Sequence, residues 1–363
     1  MINSIATLVG QPLWGMLSDK IRSIKKVFLF TIIIASLLIG ILPFLENKYL
    51  VFLVLPLIQF FFCCLSPLLD SWTIQGIKNS GKSYGSFRLW GSIGFSLLVV
   101  INGKLISISF FNIIFIVYGI MTFATLILCT VFFKYNMSEG EVTAKKLTLK
   151  EMNVGRLLKN VKYTVFVVLS CITFINMTSV YSFLATLIRQ VGGDDNLYGI
   201  ANAVSAISEV PILLISSMLV RKFKPQLLIF AGMFVYAIRL FIYSVAAGPE
   251  LIILSQALNG LSYGLFLSGS IYYIDFLAPT ELKATAQTVA TGVYYGLSGV
   301  IGNVLSGSMI TVFGIFSVYR VGAVIQLCVS ALFILSLLLG RKYSQAESDI
   351  TSNKTQLQVQ DNI

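Results

Sequence analysis

Apolar residues in this chain come in long uninterrupted runs parted by short polar connections, without the two-residue alternation of a half-buried strand. A window of about 20 residues, the length that crosses a bilayer as a helix, picks out eleven runs: 2–18, 27–45, 50–75, 86–103, 109–133, 161–188, 198–220, 226–247, 251–274, 285–312 and 316–340. Each predicts a transmembrane helix, because a lone segment in hydrocarbon satisfies its backbone polar groups only by coiling on itself. The expected fold class is therefore an all-α polytopic membrane protein. The stretch 134–160 is the one long polar break, and it parts the runs into five and six. It suggests an N-terminal bundle over 1–133, a linker over 134–160, a C-terminal bundle over 161–340 and an unstructured tail over 341–363. Within the linker, Thr148 and Glu151 have capping-box spacing, and Leu149, Met152, Leu157 and Leu158 fit the apolar side of a short surface helix. A disordered linker fits the same residues.

Composition agrees with a bilayer surround. Of 363 residues 56% are hydrophobic and 11% charged, with a mean hydropathy of +0.87, where a soluble globular chain carries about 25% charged residues. The net charge of +11 first suggests a polyanion such as nucleic acid. Position argues otherwise: 20 of the 26 Lys and Arg fall on the side of alternate connections and the tail, and four in or close to the opposite connections. That is the positive-inside asymmetry of a multi-pass plasma-membrane protein, and it removes the need for a nucleic-acid partner. It puts the start of the first run outside and the linker and tail in the cytoplasm. With no histidine anywhere, Ser/His and Cys/His triads and the usual zinc hydrolase sites are excluded. The five cysteines all lie in apolar runs without metal-ligand spacing, so packing explains them. Neither an enzyme nor a cofactor or metal site is expected.

Charges inside the runs carry the candidate chemistry. Asp70 and Arg88 stand at equal sequence distance from Asn79, in the basic turn between the third and fourth runs. In antiparallel helices equal distance means equal depth, here about 9 Å along each helix. Glu209 and Arg239 repeat the arrangement about Lys224, at roughly 18 Å and so near the midplane. Such charges are costly in hydrocarbon and are usually paired or used. Each pair reads as part of a solute site or, alternatively, as a structural ion pair. Gln256, Asn259 and Tyr263 fall at i, i+3 and i+7, one face of a helix; they suit either a polar solute or bonding between helices. Asn176 and Tyr181 are further polar groups in the sixth run. Trp72 and Trp90 offer ring faces for stacking or for interfacial anchoring. Gly292, Gly296, Gly299 and Gly302 form a small-residue stripe that permits close helix packing.

Two stretches resemble a known family. Gly15-Met-Leu-Ser-Asp19-Lys20 and the basic cluster after it resemble the G-x-L-x-D-R-x-G-R-R signature between helices 2 and 3 of the major facilitator superfamily, with Arg22 where the family has glycine. YGSFRLWGSIGF, with Asp70 eighteen residues before Arg88, is similar to the helix 4 to 5 region of its proton-coupled sugar, nucleoside and phenylpropionate branch. The resemblance implies two bundles around a central cavity. It also makes the first run helix 2, so that eleven helices are twelve without helix 1, and an in-frame apolar stretch is expected upstream.

By position the resemblance implies solute contacts at Asp70, Arg88, Glu209 and Arg239, to which the polar helix face adds Gln256 and Asn259 and the stacking ring adds Trp90. It implies a conformational gate at Gly15, Asp19 and Lys20, and Glu209 and Asp70 are the buried acids left as candidates for proton coupling. Asn259 and Ser262 stand where relatives carry a histidine and an acid, so coupling does not transfer through them. The expected function is secondary transport of a small polar organic solute, of the sugar, nucleoside or aromatic acid class, by proton symport and alternating access. An efflux permease or uniporter shares these features, and a non-transporting sensor or truncated remnant is the alternative of another class.

Overall fold

The computed structural model describes residues 2–77, 84–91, 93–94, 113–131 and 154–360, and among them every regular element is helical. The first set is α1 (Ile2–Ile21), α2 (Ile24–Ile41), α3 (Lys48–Phe62), α4 (Leu65–Ile77), α5 (84–91) and α6 (Ile113–Val131). After the short α7 (Val154–Leu158) come α8 (Val161–Gln190), α9 (Asp195–Lys222), α10 (Pro225–Val245) and α11 (Pro249–Gln256). The chain ends with α12 (Leu265–Leu277), α13 (Lys283–Thr291), α14 (Ser298–Phe313) and α15 (Ile315–Gln360). Two π-helical turns, Gly260–Gly264 and Gly292–Leu297, lie within the α11–α12 and α13–α14 spans.

Local chemistry sets the helix ends. Ser23, Asn47, Asn160 and Asp194 precede α2, α3, α8 and α9, and their side-chain oxygens accept from the first free backbone amides. Pro225 and Pro249 open α10 and α11, where a missing N–H leaves nothing unpaired. Eight described stretches are long and apolar enough to cross a membrane: Ile24–Phe44, Lys48–Ile77, Val161–Gln190, Asn196–Ser216, Pro225–Val245, Pro249–Leu277, Thr280–Phe313 and Ile315–Leu339. Val117–Cys129 is a shorter apolar helix. Most of the run 86–103 lies outside the described residues.

The helices form two bundles. In the first, α2 packs on α3, α4 and α6 around Trp14, Val27, Phe28, Leu68 and Trp72. In the second, α10 packs on α12 and α15, and α8 on α14 and α15, around Phe166, Phe174, Tyr243, Phe266 and Phe333. Asn176 donates to Gln326 (3.2 Å), which donates to Thr173 (3.1 Å), so Asn176 ties α8 to α15. Large apolar side chains such as Phe44, Leu53, Leu254 and Val312 are exposed on the outside; that surface suits hydrocarbon and is unfavourable in water. Cys63, Cys64, Cys129 and Cys171 are buried, while Cys328 is exposed.

Three expectations are corrected or narrowed. The surface helix expected around 148–158 is described only as Val154–Leu158, and Leu149 and Met152 lie outside the described residues. The tail expected to lack structure instead continues α15 to Gln360; no Gly or Pro follows Gly340, so nothing in the sequence stops the helix. Gln256, Asn259 and Tyr263 do not share a face. The π turn Gly260–Gly264 adds a residue to the helical repeat, so Gln256 and Asn259 line one cavity while Tyr263 lines another.

Candidate functional site

A cavity of about 1110 Å³ lies between the two bundles. Asp70 of α4 and Arg88 of α5 form part of one wall, and Tyr263, Gln287, Tyr294 and Tyr295 part of the other. Asp70 is 8% exposed, and its Oδ1 accepts a 2.7 Å hydrogen bond from the Tyr84 hydroxyl. Arg88 follows one helical turn after Tyr84 and is half-buried. Gly91 leaves room for its guanidinium, since a Cβ there would stand 3.1 Å from Nη1. Across the cavity the Tyr263 and Tyr295 hydroxyls are 3.0 Å apart, and Phe174 supports the rings of Tyr294 and Tyr295 at 4.7 and 4.9 Å. The π turn Gly292–Leu297 carries both of those tyrosines. The two walls together present a carboxylate, a guanidinium, neutral hydrogen-bonding groups and ring faces, the inventory that holds a polar solute with an apolar face.

The second acid and base meet differently. Arg239 is 3% exposed and sits inside the second bundle, on a small cavity of about 40 Å³ shared with Gln256 and Asn259. Its Nη1 donates to Asn259 Oδ1 (2.6 Å) and Ser262 Oγ (3.0 Å), and its Nη2 to Gln256 Oε1 (2.6 Å) and Tyr243 Oη (3.0 Å). The rings of Tyr236 and Tyr243 each lie 5.8 Å from its Cζ. Glu209 enters at one remove, because Asn259 Nδ2 donates to its Oε1 at 2.7 Å. Asn259 thus sits between the charges with its amide dipole aligned to both, and the buried cation is compensated by dipoles and one step away by a carboxylate. The turn makes this possible. Gly260 brings α9 so close that a Cβ there would overlap the Ser208 carbonyl, and its amide donates to Ser208 Oγ at 2.9 Å.

A third cluster lies at the end of the molecule that carries Lys20–Lys26, Lys222, Lys224 and Lys283, here called the basic end. Asp19 is 7% exposed and caps α13 of the other bundle: Oδ2 accepts from the Thr285 amide and hydroxyl (2.6 Å each), and Oδ1 from the Ala284 amide (3.3 Å). The carboxylate therefore meets free N–H groups at the positive end of a helix. Lys283 pairs with Asp275 at 2.7 Å across the loop before this end. A Cβ on Gly15 would overlap the Thr288 side chain, so the α1 backbone lies directly against Thr288 of α13. Further along, Gly292 meets Pro12, Gly296 meets Leu8 and Gly299 meets Ser4, while Gly302 meets Ile175 and Thr178 of α8. Arg22, where glycine was expected from the resemblance, has φ 55°, in the left-handed region that favours glycine. Its amide bonds to the Asp19 carbonyl (3.1 Å), ending α1. Lys20 is exposed.

The expected site residues thus fall into separate places. Asp70 and Arg88 line the large cavity; Arg239, Gln256 and Asn259 line the small one, with Glu209 bonded to Asn259. Trp90 is 72% exposed and lines neither, whereas Trp72 packs on Phe28 and borders the large cavity. Sequence reasoning missed Tyr84, Gln287, Tyr294 and Tyr295. For Tyr84 a signal existed, since it stands four residues before Arg88 and so on the same helical face.

A cavity between two membrane-spanning helical bundles, walled by buried charges and hydrogen-bonding groups, defines a solute transporter. The chain belongs to the MFS_1 like family, whose model matches residues 1–321. It is 28% identical over 319 residues to the maltose permease of Geobacillus stearothermophilus, covering 87% of this chain and 78% of the permease. The sucrose permease of Escherichia coli is 22% identical over 359 residues, covering 87% and 83%. A variant of the Escherichia coli fucose:proton symporter FucP shares the fold with a TM-score of 0.70 at 12% identity, covering 92% of this chain and 90% of that one.

Proposed function

We propose that this chain is a secondary transporter that imports a small neutral solute of the sugar class across the plasma membrane by proton symport. The observation that carries the reading is the placement of Asp70 and Arg88 opposite Tyr263, Tyr294, Tyr295 and Gln287 in one cavity between the bundles. Sugar hydroxyls are served together by a carboxylate and a planar guanidinium, and the apolar face of the ring stacks on tyrosine. The names of the maltose and sucrose permeases and the fucose symporter point to the same class.

In this reading segments 1–133 and 161–340 rock as two bodies about the solute, joined by a cytoplasmic linker, and the chain starts outside. Asp70 and Glu209 are the coupling carboxylates, since Asn259 and Ser262 do not titrate near neutral pH. Gly15 and Asp19 hold the basic end shut and part when it opens. A uniport reading draws on one observation: Glu209 is already engaged by Asn259, which in turn bonds Arg239.

The test is uptake of labelled maltose, sucrose and fucose into proteoliposomes, with and without an imposed pH gradient. Wild type should accumulate at least one of them when the gradient is present. Arg88→Ala should abolish uptake, and Glu209→Gln should abolish accumulation while leaving counterflow. Wild-type behaviour of both variants sinks the site assignment; accumulation indifferent to the gradient selects uniport.

A further inference from the structure

We propose that Tyr84 is a tether between the solute cavity and the closed basic end, so that engagement of Asp70 by solute releases a contact between the bundles. The inference rests on the solute-cavity reading above and names the residue through which that cavity would govern its own closure.

Tyr84 belongs to two structures at once. It opens α5, is 1% exposed, and packs with Ile74 and Ile77 of α4 against Leu267 and Ile271 of α12, an apolar plug made by both bundles. Its amide donates to the Tyr272 hydroxyl of α12 at 3.0 Å, and the two rings meet edge to face with centroids 6.4 Å apart. The next residue continues the seam, since a Cβ on Gly85 would overlap the Ser216 hydroxyl and the Leu213 carbonyl of α9. Backbone and ring therefore serve the junction. The hydroxyl reaches the other way, to Asp70 Oδ1 in the cavity wall at 2.7 Å.

Asp70 cannot serve two masters at full strength. A solute hydroxyl that donates to this carboxylate, or draws it toward the cavity, competes with Tyr84. A buried phenol deprived of its acceptor is penalised, and the ring that carries it is part of the plug. Moving the ring strains its edge-to-face contact with Tyr272 and its packing on Leu267 and Ile271. Solute binding and opening of the basic end are then linked, and by reciprocity opening weakens the Tyr84–Asp70 bond. Tyr84 touches no solute in this scheme; it acts through Asp70 and is a positioning residue.

The test uses no solute. Spin labels are placed at Lys26→Cys and Lys222→Cys, exposed at the basic end of the two bundles, in a Cys328→Ser background, and distances are measured in lipid nanodiscs. Tyr84→Phe keeps the ring and removes only the bond. It should raise the open-to-closed ratio about 10- to 100-fold, the range for a hydrogen bond to a charged group. Asp70→Ala removes the same bond from the other side, and the double variant should exceed neither single one by more than about twofold. A ratio for Tyr84→Phe within twofold of wild type overturns the tether, as do effects of the two changes that multiply. Should Tyr84→Phe fail to fold, an unchanged ratio in Asp70→Ala overturns it alone. Since transport is not measured, the tether can fail while sugar uptake persists, and the transport reading can fail while the ratio shifts.

Discussion

Arg239→Met is the sharpest probe of the second bundle. Methionine fills much of the same volume but removes the donor from four acceptors at once: Asn259, Ser262, Gln256 and Tyr243. It also leaves Glu209 bonded to an amide that no longer faces a cation. Removing one partner from a buried charge network costs about 3–5 kcal/mol, because the groups left behind stay buried and unpaired. For a unit of about 150–250 residues each kcal/mol moves the midpoint by roughly 2–4 °C, so a fall of about 6–20 °C is expected. The assay is thermal unfolding of detergent-purified protein followed by tyrosine fluorescence. Adding Glu209→Gln should recover part of the loss, since it removes a buried carboxylate that has lost one of the cations near it. A midpoint within about 2 °C of wild type, or a double variant less stable than Arg239→Met alone, refutes the reasoning.

Two further outcomes test the basic end. Asp19→Ala leaves the first amides of α13 uncapped, at about 0.5–2 kcal/mol; alkylation of a reporter introduced as Ile77→Cys in the plug should speed up by roughly 2- to 30-fold. Gly15→Ala should favour separation of α1 from α13, because its methyl overlaps Thr288 in the closed arrangement, and overpacking costs about 1–3 kcal/mol. The same reporter reads the change, and Thr288→Gly should reverse it. No reversal by Thr288→Gly removes the steric explanation.

The helical content was legible because apolar runs of membrane length leave a chain few options, and observed bounds such as Val161–Gln190 fall close to the runs read from sequence. Counting from Asn79 and from Lys224 placed each acid and base on facing helices, and Asp70 and Arg88 do border one cavity. Rotation about the helix axis was not legible. The two π turns depend on close packing, as where Gly260 meets Ser208, and no local spacing announces them. Hence the supposed common face of Gln256, Asn259 and Tyr263 divides, and Glu209 reaches Arg239 only through Asn259. Asn259 looked like a break in the pattern because its neutrality was read as loss of a titrating group. In the fold that same neutrality lets one end face a cation and the other a carboxylate.

The seam between α1 and the span from α13 to α14 also bears on how this protein can change over generations. Ser4, Leu8, Pro12 and Gly15 lie against Gly299, Gly296, Gly292 and Thr288 in antiparallel order. Bulk on one side is matched by its absence on the other. A mutation that enlarges either strip is tolerated only alongside a reduction directly opposite, some 270 to 300 residues away in the sequence. The two halves are therefore bound to a shared mutational history along this line, and pairs exchanged between relatives should transplant together or not at all.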